Sequence, residues 1–244
     1  MTRPRILDLY CGAGLVADGL KAAGFDPTGV DYVAQPRYPG PFLLHDALTL
    51  DERLLDSFPF IWASPPCLKD TVLSRSARRE QEAHGTKLTS HPDLITPTRA
   101  MLQRWAERTG GRWVIENVFG APLIDPVVLS GFMFDLGANY EGQRFHLERK
   151  RKFETNWLLP IPAFTRKKPV IGVYGGHARC RAASAGGRGT ADFIGVEDKT
   201  ALMREAMGVD RYVTGAEVSQ GIPPAYARYV GVQLMSHLRE RAAA

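Results

Sequence analysis

The most constraining stretch is near the N-terminus, Ile6-Leu-Asp-Leu-Tyr-Cys-Gly-Ala-Gly14. A short apolar strand runs into a glycine turn, and Leu15 to Ala23 then reads as a helix closed by Gly24. A strand, a glycine turn and a helix N-terminus let backbone approach a nucleotide-like ligand closely. Further apolar runs follow the same rhythm. Pro27–Asp31 and Phe42–Asp46 each end in an acid, Phe60–Ala63 ends at two prolines, and Arg112–Val118 carries Glu116-Asn117. The segment Thr98–Arg108 places Met101, Leu102 and Trp105 on one helical face. Strands alternating with helices predict an α/β chain: a Rossmann-like, mostly parallel central sheet with helices on both faces.

Two stretches interrupt this pattern. Lys69–His91 is polar, charged and long for a connection. Val173–Gly195 is rich in glycine and arginine and reads as a flexible basic loop. Beyond it, Thr200–Met207 reads as a helix. Pro223–Arg239 reads as an amphipathic helix with proline at its start, where the missing amide costs nothing.

Composition narrows the function classes. The 244 residues suffice for one large domain or a domain with an appendage. The net charge of +5 weakly favours an anionic partner such as nucleic acid. No apolar window approaches about 18 residues, so no transmembrane helix is expected. With no signal-peptide pattern at the start, a cytoplasmic protein is expected. Three scattered cysteines, Cys11, Cys67 and Cys180, make neither a disulfide framework nor a zinc spacing.

Cys67 therefore has two readings. It follows Ser64-Pro65-Pro66 at a strand's C-terminal edge, where open α/β sheets place ligands. There it is either a small buried hydrophobe or an activated nucleophile. Glu116 ends an otherwise apolar strand, and a buried carboxylate must be paired or kept protonated. An acid and a thiol on one sheet edge suit nucleophilic chemistry. Asp31, beyond the glycine turn, suits ribose hydroxyls.

Taken in order, these motifs resemble the C5-cytosine DNA methyltransferases, and within them the compact phage and prophage members. The motifs are Asp8-Leu-Tyr-Cys-Gly-Ala-Gly14, Pro65-Pro-Cys67, Glu116-Asn-Val118, Arg149-Lys-Arg151 with Phe153-Glu154, and Ile222-Pro-Pro-Ala-Tyr-Ala227 with Gly231. "HPDLITPTR", "VIENVFGAPL" and "FETN" add to the likeness, which spans roughly residues 5–157 and 205–240.

The resemblance implies S-adenosylmethionine as cofactor. Asp8, Tyr10, Cys11, Gly12, Gly14, Leu15, Asp31, Tyr32, Asp46, Ala47, Pro65, Gln220 and Gly221 would surround it. It implies Cys67 as nucleophile, Glu116 as the acid at the base, and Arg149 and Arg151 as catalytic arginines. Ser64, Pro66, Lys69 and Asn117 would contact the substrate, with phosphate contacts from Arg179, Arg181 and Arg188. The implied partner is DNA, double- or single-stranded, with no metal, no membrane and a monomeric chain. The implied organisation is a catalytic domain of residues 1–157 and 206–244, with a small recognition module at 158–205.

Some positions depart from the family pattern. Leu68-Lys-Asp-Thr71 stands where Gln-x-x-Ser/Thr is usual, Ser64 and Leu15 replace frequent glycines, and Ser219-Gln-Gly221 replaces Gly-Asn-Ala. Lys69 and Gln220 raise a second reading, a carboxy-S-adenosylmethionine cofactor and carboxymethylation of cytosine. An RNA cytosine methyltransferase and a catalytically idle DNA-binding protein are the other rivals. A nicotinamide oxidoreductase leaves the two Pro-Pro motifs without a role.

Overall fold

The computed structural model describes residues 2–66, 93–174, 177–181, 190–192 and 197–243. Its first sheet has seven strands. They are β1 (Arg5–Leu9), β2 (Asp26–Asp31), β3 (Phe42–Leu44), β4 (Phe60–Ala63), β5 (Arg112–Val118), β6 (Val127–Leu129) and β9 (Arg151–Thr155). Their order is β3-β2-β1-β4-β5-β9-β6. The first five are parallel, and β9 pairs antiparallel with both β5 and β6.

Strand alternation divides the core. On one face Leu7, Leu9, Ile61, Ala63 and Ile115 pack against Met101, Leu102 and Trp105 of α3 (Ile95–Thr109). On the other, Ile6, Phe60, Trp62, Val114 and Phe153 pack against α1 (Leu15–Ala22) and α6 (Pro224–Ala243). Each Leu, Ile, Val, Phe or Met side chain so removed from water contributes roughly 1.5–3 kcal/mol. The α1–α6 packing is close. A Cβ on Gly19 would lie 2.1 Å from the Pro224 carbonyl oxygen, so only glycine fits.

The helix α3 starts earlier than the sequence predicts. The Asp93 carboxylate accepts from the amides of Ile95 and Thr96 at 3.0 and 3.3 Å, and Pro97 falls in the first turn, where its missing donor is harmless. A short α2 (Glu52–Asp56), capped by Asp51, precedes β4.

From α3, Arg99 reaches across to β9. Its Nε and Nη2 donate to the two oxygens of Glu154 at 2.6 and 2.8 Å, and the Ile124 amide donates to the same carboxylate at 2.8 Å. The pair is nearly closed to solvent, with side-chain exposures of 12% and 6%. Removing one partner strands a buried charge, so Arg99→Ala is expected to lower unfolding free energy by about 3–5 kcal/mol. Urea unfolding should show a lower midpoint at an unchanged slope.

The second sheet has the order β12-β11-β10-β8-β7. These strands are β7 (Gly137–Tyr140), β8 (Gln143–Leu147), β10 (Val170–Tyr174), β11 (His177–Arg181) and β12 (Thr190–Asp192). The start of the predicted basic loop at Val173–Gly195 is thus strand. Val170, Ile171 and Val173 are β-branched, and β11 pairs antiparallel with them, Cys180 opposite Ile171. β7 and β8, placed by sequence with the catalytic domain, belong to this sheet too. The helix α4 (Lys199–Met207) covers it, packing Leu202, Met203, Ala206 and Met207 on Phe145, Leu147, Ile171 and Val173. Ala13 and Leu15 join the same cluster, so the second core reaches the glycine turn. The helix α5 (Gly215–Gln220) then leads to α6.

Candidate active site

The chain runs from β1 outward to β2 and β3, then returns to β4 and β5 on the other side of β1. Beyond the carboxyl ends of β1 and β4, such a reversal is the place where open α/β sheets form a ligand crevice. The predicted site residues that stand on this edge are the 10–14 turn, Asp31 and Tyr32 after β2, Asp46 after β3, Ser64–Pro66 after β4, and Glu116-Asn117 at the end of β5.

The turn after β1 is tightly wound. Tyr10, Gly12 and Gly14 have φ of 56°, 49° and 80°, and Tyr10 is a residue type that rarely adopts that region. Its phenol oxygen lies 2.8 Å from Thr98 Oγ1, which ties the turn to α3. Gly12 opens to free space: a Cβ there would meet nothing within 4 Å. Asp31 Oδ2 accepts from the Gly12 amide at 3.0 Å and its Oδ1 from the Val33 amide at 3.1 Å. A carboxylate has about four acceptor directions, so two remain for ribose hydroxyls.

Several expected contacts take other roles. Gly14 was expected to admit a ligand. A Cβ there would lie 2.4 Å from Pro39 Cδ and 2.8 Å from Tyr38 Cδ2, so its bareness makes room for the chain itself. Cys11 is buried with Ala17 and Tyr38, its amide donates to the Val30 carbonyl, and burial pushes its thiol pKa up. It is a core residue. Ala47 is likewise core, and Leu15 packs against the α-carbon of Gly221. Asp46 caps a short 3-10 turn, accepting from the Leu48 amide at 3.0 Å. Tyr32 is 71% exposed beside Asp31, and Gln220 is exposed in the last turn of α5.

Asp8 lies fully buried beneath this turn. Tyr38 donates its hydroxyl to Oδ2 at 3.3 Å, while Oδ1 has no partner. Burial pushes its pKa from 3.8 to about 8, against the hydrogen bond from Tyr38. The folded chain therefore holds a proton that the unfolded chain releases near pH 4. Asp8's contribution is full below that value and is lost as pH rises towards about 8. Unfolding free energy should fall by up to about 1.4 kcal/mol per pH unit inside that window. Urea titrations should show Asp8→Asn flattening the curve.

Glu116 and Arg151 form the polar centre on the β5–β9 pair. Arg151 Nε lies 3.2 Å from Glu116 Oε1, and both side chains are about nine-tenths buried. The Ser64 hydroxyl favours the charged form of this carboxylate and accepts a hydrogen bond from the Trp62 indole at 3.0 Å. Burial raises the Glu116 pKa, while Arg151, Ser64 and Arg149 oppose the rise. The net is an acid that keeps its proton above the ordinary carboxyl range, inside reach of an arginine.

Asn117 was expected to touch substrate. Instead its Nδ2 donates to the Pro65 carbonyl at 2.9 Å and its Oδ1 accepts from the Val118 amide at 2.8 Å. It fixes the Ser64–Pro66 corner from which the chain enters Cys67. Pro65 is buried and Pro66 half-buried at that corner.

Arg149 also departs from its expected role. The side chain is 1% exposed and donates to the carbonyls of Val173, Ser219 and Gly221. Tyr226 in turn donates to the Arg149 carbonyl at 2.8 Å. Burial, reinforced by Arg151, lowers the guanidinium pKa to about 9, so it stays cationic at neutral pH. Arg149 clasps β10 to the α5–α6 turn.

Cys67, Lys69 and Arg188 lie outside the described residues. Arg179 and Arg181 stand on β11, opposite Gly172 and Val170.

One residue near the site carries no motif. Arg211 donates to Asp18 Oδ2 at 2.8 Å, to the Arg37 carbonyl at 2.9 Å and to the Ala13 carbonyl, locking the glycine turn to the 32–41 loop. Just after it, Thr214 and Glu217 form a capping box on α5, a Thr-x-x-Glu signal that was readable in sequence.

The crevice fits S-adenosylmethionine. Gly12 leaves room for close approach, Asp31 keeps acceptors for a ribose, Tyr32 offers an exposed ring, and the unpartnered Asp8 oxygen places acidity under the turn. Among the described residues no group of three or more His, Cys, Asp or Glu could hold a metal ion. No described helix is long and apolar enough to cross a membrane.

A parallel sheet with this reversal, flanked by helices and ending in an antiparallel strand, is the Rossmann-like fold of methyltransferases. The Dnmt2 methyltransferase of S. pombe superposes with a TM-score of 0.59 at 12% identity, over 97% of this chain and 99% of that one. The Entamoeba histolytica methyltransferase EhMeth superposes with a TM-score of 0.53 at 10% identity, over 99% of each chain. A prophage-encoded E. coli protein described as a DNA modification methyltransferase matches at 18% identity with a TM-score of 0.38; the match takes in 62% of this chain and 45% of that protein's length. No family model and no curated protein sequence matches the chain.

Proposed function

We propose that this protein transfers a methyl group from S-adenosylmethionine to C5 of cytosine in DNA, with Cys67 as the covalent nucleophile. The observation that carries the reading is the buried Glu116–Arg151 pair, set beside the Ser64–Pro66 corner on a methyltransferase fold. Cytosine C5 is a poor nucleophile until something adds to C6. The Cys67 thiolate adds there, forming a carbon–sulfur bond and sending the ring electrons toward C5 and N3. Glu116 meets the charge at N3 by donating its proton, and Arg151 holds both Glu116 and the base oxygen O2. S-adenosylmethionine, when bound at the 10–14 turn and Asp31, supplies an electrophilic sulfonium methyl group. With the methyl group on C5, water takes the C5 proton, the ring electrons re-form the double bond and expel the Cys67 thiolate, and Glu116 recovers its proton from N3. The reacting base must leave a helix to reach the crevice, so a flipped or single-stranded cytosine is the substrate form.

The basic composition suits either nucleic acid, and the likeness to DNA methyltransferase motifs is the ground for choosing DNA. In a competition between DNA and RNA of matched sequence, labelled methyl groups should appear at cytosine of the DNA. Preferential labelling of RNA would move the substrate assignment to RNA and leave the mechanism standing.

A further inference from the structure

At the sheet edge where β5 ends, the structure leaves an aromatic ring in solvent. Phe119 follows β5 directly and is 55% exposed. Two ammonium groups lie against its ring, Lys150 Nζ at 5.5 Å and Lys152 Nζ at 5.7 Å from the centroid. The β5–β9 register pairs Val118 with Arg151 and Asn117 with Lys152, so Phe119 leaves the strand beside Lys150.

A third cation joins them. The buried Glu148 carboxylate lies 2.7 Å from Arg166 Nη2 and 3.4 Å from Lys150 Nζ. Lys152 also donates to the Ala121 carbonyl at 2.9 Å, which holds its head group in place. Lys150, Lys152 and Arg166 against Glu148 make a formal charge of three minus one, or +2. Arg151, between the two lysines, turns toward Glu116 instead. The result is a cationic rim with one exposed ring at the carboxyl edge of β5; strand alternation turns Lys152 to the α3 face and Glu116 with Arg151 to the other.

Exposing a phenylalanine gives up burial, and cations beside its ring favour a ligand with both a π-face and negative charge. A nucleotide has both. We propose that Phe119, Lys150, Lys152 and Arg166 form a subsite for the nucleotide adjoining the target cytosine. Its base stacks on Phe119 and its phosphate meets the lysines. Stacking on a ring is sequence-tolerant, so the subsite places the strand without reading it. The inference rests on the proposed DNA reaction for its ligand, and on the rim geometry for its position.

The test uses the full chain and a short single-stranded DNA oligonucleotide with one cytosine, titrated by fluorescence anisotropy at several salt concentrations. Phe119→Ala should bind about ten-fold more weakly with an unchanged salt slope. Lys150→Ala should reduce that slope by about 0.7, one phosphate contact on a single strand. Phe119→Trp should keep the affinity and add an emission that the oligonucleotide quenches. Wild-type affinity and slope in both Phe119→Ala and Lys150→Ala would overturn the subsite if the wild type transfers methyl groups to DNA. The expected losses in a chain that binds DNA but transfers nothing would uphold the subsite and refute the reaction.

Discussion

Replacing Cys67 with alanine is expected to reduce methyl transfer by at least about four orders of magnitude. Without addition at C6, no electron density reaches C5, and neither Glu116 nor Arg151 can replace that step. Their part is to stabilise a charge that the thiolate creates. The loss should fall on turnover, because the crevice that would hold the cofactor is built from β1 and β2. DNA carrying 5-fluorocytosine separates this account from an idle protein of the same fold. Fluorine at C5 cannot leave as a proton does, so the wild type should stay covalently attached and gain the mass of the DNA strand. Cys67→Ala should show no such species. A wild type that forms no adduct would favour the idle reading.

Glu116→Gln is the second large effect, an expected fall of about 10²- to 10⁴-fold in turnover. Glutamine preserves the shape and can still donate a hydrogen bond, but it cannot release a proton to N3. Arg151 then faces a neutral amide and keeps its place on β9. The wild-type rate should decline as pH rises through the raised Glu116 pKa, because the required form is the protonated acid. That alkaline limb should be absent in the variant. A Glu116→Gln enzyme within a few-fold of wild type, with the same pH profile, would remove Glu116 from the proton-transfer role.

Much of the central sheet was legible because each strand announces itself locally. Ile6–Leu9, broken only by Asp8, and Phe60–Ala63 are near-continuous apolar runs, as strands buried on both faces tend to be. The acids and prolines that end them mark the sheet edge on which the crevice lies. The second sheet was less legible. Val173–Gly195 has the composition of a loop, and only pairing with Val170 and Ile171 shows why His177–Arg181 is extended.

Side-chain partners were the least legible. Arg149 and Arg151 are two residues apart in one motif, yet Arg151 meets Glu116 and Arg149 clasps Ser219 and Gly221 about seventy positions away. Nothing local distinguishes them, since β alternation would turn both the same way. Gly14 looked like a ligand cradle because Tyr38, which fills the space above it, comes from a separate loop. Arg211 was invisible for the same reason: its three acceptors come from three segments, and a lone arginine carries no spacing signal.

Arg149 and Asn117 are both engaged with backbone groups of the chain itself. In the proposed reaction, Glu116 and Arg151 are the described side chains assigned to the base, and Asn117 holds the corner that precedes Cys67 in the chain.

The most direct measurement is mass spectrometry of nucleosides from DNA incubated with S-adenosylmethionine and either the wild type or Cys67→Ala. The account predicts 5-methylcytosine with the wild type and none with the variant. A larger C5 adduct from cells, absent with S-adenosylmethionine alone, would point to the carboxymethyl donor. A modified cytosine that persists with Cys67→Ala would contradict the covalent mechanism.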